Sequence, residues 1–265
     1  IEKIPNTPGV YFFYDDNGAL LYVGKSVHLK ERIKSHFSDT KNNHYLSFTK
    51  LIKDIDYEIT AGDIEAQLKE AAYIKERMPI HNHQLRRVQK MVYAVVETND
   101  DGYLQPRLVQ EMPALESIDQ VVGMYRSRKK AREHFEQLVK EHDLCDKLMG
   151  LQKTGTTCFG YHLNRCNGAC IREESPALYN AKFNNAFAKS RLREWPYSGP
   201  VAIREYNEDF GIETVHIVDR WCYLGKATSF DDVNDTLEQQ RLFDHDMYMI
   251  LLRALFDDSV EKIAL

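Results

Sequence analysis

At 265 residues, 43% hydrophobic and 28% charged, the chain has the composition of a globular protein and the length for two modest domains, each with its own core. No apolar run approaches the roughly 20 residues of a membrane span, and no signal peptide opens the chain. A formal net charge of −5 argues against a generic polyanion binder.

The charge is unevenly spread. Residues 1–90 hold 14 Lys/Arg against 12 Asp/Glu, a balance of +2, and the remainder holds 21 against 28, a balance of −7. Basic residues cluster at Arg86-Arg87-Lys90, from Arg126 to Arg132 and from Lys189 to Arg193. Each cluster reads equally well as a solvated helix face or as a local anion contact, so affinity for a polyanion has to come from patches and from a partner. Five cysteines, an odd number without secretory context, favour a reducing compartment such as the cytoplasm, and metal or thiol chemistry over disulfides. The chain starts at Ile1 and not at a methionine, which is compatible with an upstream domain.

Residues 1–8 are an entry segment that Pro5 and Pro8 keep extended. Two apolar runs, Gly9–Tyr14 and Ala19–Gly24, flank Asp15-Asp16-Asn17-Gly18, a hairpin signal because such turns accept positive φ. The hairpin brings Tyr11 and Tyr22 near each other. Ser26 reads as the N-cap of a helix on which Leu29, Ile33 and Phe37 form an apolar stripe. His28, Arg32 and His36 form a second stripe about 100° around the helix. Lys41 to His44 reads as a polar loop, Leu46–Lys53 as a helix and Tyr57–Thr60 as a strand. Gly62-Asp63 opens a helix that runs to about Met78 and stops at Pro79. Its apolar face is Ile64, Leu68, Ala71 and Ala72, with Glu65, Lys69 and Glu76 on one flank. Glu70 stands apart from those solvent charges and is the better candidate for a site.

Residues 83–90 are basic and read as a linker, placing domains at 1–85 and 86–265. In the second, Met91–Thr98, Arg107–Glu111 and Gln120–Tyr125 read as strands, and Ser127–Asp143 as a helix. Residues 144–170 carry four glycines and four cysteines and read as loop-rich. Ser175–Trp195 is expected to be helical, Val201–Tyr206, Glu213–Val218 and Trp221–Leu224 to be strands, and Phe230–Leu242 a helix. The fold class is therefore α/β in the α+β sense. A small first domain has a short antiparallel sheet flanked by helices, and a mixed second domain is built around the cysteine loop.

Tyr11, Tyr22, Lys25, Arg32, His36 and Glu70 form a set suited to phosphodiester hydrolysis. That reaction needs a base to prepare water, positive charge for the developing oxyanions, and a hold on the phosphate. A free tyrosine, with a pKa of about 10, is a poor base at neutral pH, and lowering it by about three units takes about 4 kcal/mol of phenolate stabilisation. Lys25, Arg32 and a metal can supply it, and one carboxylate, Glu70, can hold a Mg²⁺ or Mn²⁺ that keeps most of its waters. Read singly, each residue has a plainer role: a tyrosine in a hairpin pair, a surface arginine, a paired glutamate.

The ordered set resembles the signature of the GIY-YIG endonucleases: Gly9-Val10-Tyr11, Tyr22-Val23-Gly24, then Lys25 and Arg32, with Glu70 on a helix and Pro79-Ile80-His81-Asn82 after it. Cys145, Cys158, Cys166 and Cys170 and the run Phe243-Asp244-His245-Asp246 extend the resemblance, over nearly the whole chain, to the UvrC type and its shorter Cho branch. The resemblance implies a GIY-YIG nuclease domain and a UvrC/Cho-like C-terminal domain. It implies that Tyr11 and Tyr22 match the signature tyrosines, Arg32 a phosphate-clamping arginine, Glu70 the metal ligand and Asn82 a structural asparagine counted with the site. Lys25 matches a lysine of the UvrC-like branch, and His36 stands where the family often has tyrosine. Which tyrosine takes the proton stays open. Lys25, Arg86, Arg87 and Lys90 are the expected DNA contacts.

Cys158-x7-Cys166-x3-Cys170, with Cys145 thirteen residues before Cys158, gives four soft ligands suited to Zn²⁺ or an iron–sulfur cluster. Buried structural thiols are the plainer alternative, and the resemblance implies a [4Fe–4S] cluster in a structural or redox role. Cys222 reads as a core residue, and Asp244-His245-Asp246 as a turn or cap before a metal site. The resemblance further implies incision of double-stranded damaged DNA 3′ to a lesion in nucleotide excision repair, with UvrB as partner and UvrA upstream. The alternatives are a GIY-YIG nuclease acting outside excision repair, and a cluster-bearing DNA-binding or redox-sensing protein with a vestigial site.

Overall fold

Strand β1 (Gly9–Tyr14) is apolar at nearly every position because it is the middle strand of a sheet covered on both faces. The computed structural model describes residues 1–38, 48–82, 91–153, 155–227 and 232–265. β1 pairs antiparallel with β2 (Leu20–Ser26) on one side and β3 (Asp54–Ile59) on the other. The expected hairpin is present: Asp15 Oδ1 accepts the Asn17 and Ala19 N–H groups at 2.9 and 2.8 Å, and Gly18 takes a φ of 77°. Two-residue periodicity sends Tyr11 and Phe13 to one core with Leu29 and Ile33, and Val10 and Phe12 to another with Ala66 and Ile74.

Helix α1 (Leu29–Ser38) covers the first face and helix α2 (Asp63–Arg77) the second. Three expectations need correction here. Ser26 ends β2, three residues before the helix begins, and its hydroxyl accepts the His28 N–H at 3.0 Å. On α1 the buried line is Leu29, Ile33 and His36, while Phe37 is 41% exposed, because the face against the sheet follows i, i+4, i+7. On α2, Ala72 is exposed and Glu65 is buried, the reverse of their expected places. Of the helix expected over Leu46–Lys53, Phe48–Leu51 form one turn; the loop expected at Lys41 to His44 lies outside the described residues.

Compactness divides the chain into Ile1–Val88 with Trp195–Leu265, and Gln89–Glu194. This differs from the expected division at 85/86, because the C-terminal segment packs with the N-terminal one through buried polar contacts. That segment forms a four-stranded antiparallel sheet, in the order β10 (Glu261–Ala264), β7 (Val201–Asn207), β8 (Ile212–Asp219), β9 (Cys222–Ala227). Glu205 on β7 accepts the Ile64 and Glu65 N–H groups at 2.8 and 2.7 Å, capping α2 with a carboxylate. Gly62 allows this, since a Cβ there would overlap the Glu205 carboxylate. His216, fully buried, meets Glu205 at 3.1 Å, and Glu65 takes Lys226 and Thr214 at 3.1 Å each. Asn207 bonds Thr7 and the Thr60 carbonyl at 2.9 and 3.0 Å.

The Gln89–Glu194 unit holds the sheet β5 (Leu104–Val109), β4 (Val92–Thr98), β6 (Val121–Tyr125), with α3 (Arg128–His142), the short α4 (Phe159–His162) and α5 (Pro176–Phe187). Ser127 and Ser175 cap α3 and α5 as their positions suggest. Helix α5 ends at Phe187 and not near Trp195, because Leu192 turns away to bond the Val121 carbonyl at 3.0 Å. Of the helix expected over Phe230–Leu242, α6 (Val233–Leu237) is formed among the described residues. A further helix, α7 (His245–Leu255), follows, and Asp244 caps it. Lys75 pairs with Asp244 and Asp246 at 2.7 and 3.1 Å, which accounts for the acidic run without a metal.

Replacing Glu205 by Ala removes a charged helix cap and strands His216. Urea denaturation should read a loss of about 2 kcal/mol. A loss under about 0.5 kcal/mol would show that water substitutes for the carboxylate.

Candidate active site

The register of the hairpin builds the site. Tyr11 lies opposite Gly24, and Tyr22 lies opposite Phe13, so the two tyrosines meet on the diagonal of one sheet face with ring centroids 6.0 Å apart. A Cβ at Gly24 would overlap the Tyr11 phenol, so glycine is what lets the ring lie across β2. Helix α1 delivers His36 to the same face. Its ring stands 5.5 Å from Tyr11, 5.7 Å from Tyr22 and 5.1 Å from Phe13. Phe48 closes the group 5.8 Å from Tyr22.

Tyr11 is fully buried and its hydroxyl lies 2.6 Å from His36 Nε2. Burial pushes the Tyr11 pKa well up, Tyr22 adds to this, and the Arg32 charge acts the other way. Burial also pulls His36 down to about 4, and Arg32 reinforces it. At neutral pH both partners are therefore uncharged, a neutral phenol hydrogen-bonded to a neutral imidazole. Along the second stripe expected on α1, His36 is uncharged inside the core, and Arg32 is an exposed cation. Arg32 acts electrostatically on Tyr11, His36 and Glu70, so its charge reaches all three. Tyr22 is half-buried, the more accessible of the two phenols.

Glu70 on α2 points back to β2, where its Oε1 accepts the Lys25 N–H at 3.2 Å. Burial raises its pKa, and the Lys25 N–H and ammonium oppose that rise. A half-buried carboxylate beside one N–H is a fitting donor for a hard divalent cation, whose charge reverses the effect of burial. The Lys25 ammonium pairs with Asp63 at 2.7 Å. Asp63 went unread in the sequence, since a lone acid in the first turn of a helix carries no signal of a partner 38 residues away. The Asn82 amide makes two bonds to the Val23 backbone, at 2.9 and 2.8 Å. With His81 N–H to Leu21 O at 2.8 Å, it ties the chain after α2 along β2. Arg86, Arg87 and Lys90, expected as DNA contacts, lie outside the described residues.

The cysteine segment forms a second centre, in the Gln89–Glu194 unit. The sulfurs of Cys145, Cys158 and Cys166 lie within 4.8 Å of one another, all buried. Cys170 is half-buried and close enough to act electrostatically on Cys158. The Cys145 thiol, with the Gly168 and Ala169 N–H groups, holds the Cys166 pKa below the usual thiol range. The same contact, and burial, push Cys145 up. Backbone N–H groups of Leu148 and Tyr161 also reach Cys145 and Cys158. Converging sulfurs that receive N–H bonds suit thiolate ligands of a metal centre. Cys222 is a buried core residue outside this group.

Three family descriptions match successive stretches of the chain: the UvrC-like GIY-YIG domain over residues 7–83, the UvrC/Cho excinuclease middle domain over 91–189, and the excinuclease Cho C-terminal domain over 200–265. Among curated proteins, excinuclease Cho of Salmonella typhi is 29% identical over 268 residues, covering 100% of this chain and 88% of the relative. Excinuclease Cho of Escherichia coli K12 is 29% identical, covering 98% of this chain and 86% of the relative. UvrABC system protein C of Streptococcus agalactiae is 30% identical over 185 residues, 29% of its own length. Among solved structures, the GIY-YIG N-terminal endonuclease domain of UvrC from Thermotoga maritima, bound to its catalytic magnesium, is 26% identical, covers 30% of this chain and 88% of that one, and has a TM-score of 0.28.

A folded pKa of about 4 for His36, against an ordinary 6.5, means that protonation favours the unfolded chain. This destabilisation is absent above pH 6.5 and grows as pH falls from 6.5 toward 4. The NMR signal of the His36 ring should titrate with a midpoint near 4; a midpoint near 6.5 would put the ring in water and break the Tyr11 contact.

Proposed function

Because the chain belongs to the UvrC/Cho family of GIY-YIG nucleases, we propose that it is a DNA endonuclease that hydrolyses one phosphodiester near a lesion, on the 3′ side, in nucleotide excision repair. The observation that carries this reading is the convergence of Arg32, Glu70 and the Tyr11–His36 pair, which act on one another around the half-buried Tyr22. Arg32 is the clamp for the phosphoryl oxygens. It is exposed at the rim, beside a His36 that is neutral and adds no second positive charge to the core.

Tyr22 is the phenol that prepares the water. Tyr11 is fully buried and already bonded to His36, whereas Tyr22 is accessible and lies against both rings. Tyr11 and His36 hold the Tyr22 ring in place. Lys25 orients Glu70 through its backbone N–H and anchors the start of α2 through Asp63. Asn82 keeps β2 in register with the segment after α2. Glu70 would hold the divalent cation, Mg²⁺ or Mn²⁺, which when bound neutralises charge on the phosphate and leaving oxygen.

The four cysteines would hold an iron–sulfur cluster, the reading that the family resemblance favours over zinc, and it would stabilise the loop between α3 and α5. The substrate is damaged duplex DNA, and UvrB, loaded by UvrA, is the partner that presents it. The relatives' description as excinucleases supports this placement.

The test is nicking of a duplex carrying one bulky lesion, with purified UvrA and UvrB, in Mg²⁺ or EDTA. Incision should be 3′ to the lesion, need the metal and UvrB, and fall at least about 10²-fold in Glu70→Ala while DNA binding survives. Nicking of undamaged DNA without UvrB would keep the nuclease and remove the repair role. Equal loss of binding and cutting in Glu70→Ala would make Glu70 structural.

A further inference from the structure

The Gln89–Glu194 unit contains a solvent-open cavity of about 540 Å³ that the nuclease chemistry does not use. This is within the roughly 300–1,000 Å³ range of pockets that take nucleotide-sized ligands. Four cations line it, Arg107 from β5, Arg128 and Arg132 from α3, and Lys147 from the turn after Cys145. Glu97 is the one acid among its described lining residues. The cations come from three separate segments, so their meeting is a tertiary arrangement and not a charge run along one helix.

Three of their charged ends are held in place by backbone carbonyls. Arg128 donates to the Leu108 carbonyl at 3.3 Å, Arg132 to the Leu151 carbonyl at 3.2 Å and Lys147 to the Gly155 carbonyl at 2.6 Å. A guanidinium has five N–H donors in a planar fork, so a bond or two leaves capacity for a phosphate. Arg107 also pairs with Glu97, and Arg132 with Glu136, but these arginines are 56% and 58% exposed, and exposed ion pairs are weak and exchange readily for a stronger anion. Leu108, Leu148 and Leu151, partly exposed, supply apolar wall beside the cations, a surface on which a sugar can rest. With a chain charge of −5 there is no general attraction for a polyanion, so contact with one must be made by such local concentrations of positive charge.

We propose that this cavity is a phosphodiester-binding groove for a strand of the DNA substrate. The proposal rests on the nuclease reading for the identity of the polyanion. Guanidiniums in threes match phosphate oxygens pairwise, and counterion release gives the binding its strength. Contacts to phosphate carry no sequence information, so the groove holds DNA without regard to sequence.

The experiment uses the full chain carrying Glu70→Gln, so that DNA is not cut, and fluorescence anisotropy of a labelled duplex across a salt series. Arg128→Gln/Arg132→Gln/Lys147→Gln should bind tenfold or more weakly at low salt. The slope of log affinity against log salt should fall by about 2–3, one for each lost phosphate contact. Arg128→Lys/Arg132→Lys, which keeps the charge, should retain the slope. Unchanged affinity and slope in the triple variant, with parental circular dichroism and melting, overturn the proposal. So does equal loss in the lysine variant together with a lowered melting temperature, which makes the arginines structural. Preferential, substitution-sensitive binding of a polyglutamate peptide over DNA also overturns it and marks an acidic protein surface. With Glu70 intact, metal-dependent nicking that persists with an unchanged salt slope fails the groove alone. No binding and no nicking by the parent fails the nuclease reading itself.

Discussion

A hydroxyl buried away from water has to be hydrogen-bonded, and the contact between Tyr11 and His36 is the bond on which the site depends. It sets the rotation of α1, because a buried histidine at 36 turns Phe37 outward and leaves Leu29 and Ile33 against the sheet. That rotation in turn puts Arg32 at the rim, where its charge reaches Tyr11, His36 and Glu70. Gly24 is the complement on the strand side: the phenol can reach His36 across β2 only where no side chain stands in the way. One hydrogen bond and one missing Cβ thus determine where the cation sits.

The opposite face of the sheet is governed by charge. Helix α2 must present Glu70 at β2, and its N-terminus is secured by a carboxylate from a strand 140 residues later in the chain. Glu205 caps it, His216 supports Glu205, and Glu65 gathers Lys226 and Thr214 into the same buried network. Burial alone would raise the Glu65 pKa, yet the Ala61 N–H and Lys69, with Lys226, hold it down at about 2, so it stays ionised at neutral pH. Buried charges of this kind contribute less to stability than to uniqueness, since few alternative packings would pair them all. The C-terminal sheet is accordingly a brace for the nuclease helix as much as a module of its own.

Much of the site was legible because it is local or ordered along the chain. The hairpin runs, the Asp-Asn-Gly turn and the apolar stripe announced β1, β2 and α1, and the tyrosines followed from them. Glu70 was separable from Glu65, Lys69 and Glu76 by helical geometry, although two positions on the helix are reversed: Glu65 is buried and Ala72 is not. Helical phase tells which residues share a face, but it does not tell which face is covered when two different sheets pack around one helix. The same gap hid α7 and β10, and it stretched α5 beyond Phe187, where a backbone bond to β6 ends it.

By itself, the sequence determined the strand–turn–strand–helix order, the residue types able to handle a phosphodiester and the presence of four thiols on one glycine-rich segment. These are matters of local propensity, periodicity and chemical identity, which do not require knowing what lies across space. Only the tertiary structure decided that His36 is a neutral buried partner and not a surface cation, and that Lys25 is held by Asp63. It also decided that Glu205 caps α2 and that four cations from three segments line one cavity. The reason is common to all of these: protonation state and pairing follow from burial and from neighbours brought in by the fold, and neither is encoded at the position of the residue itself.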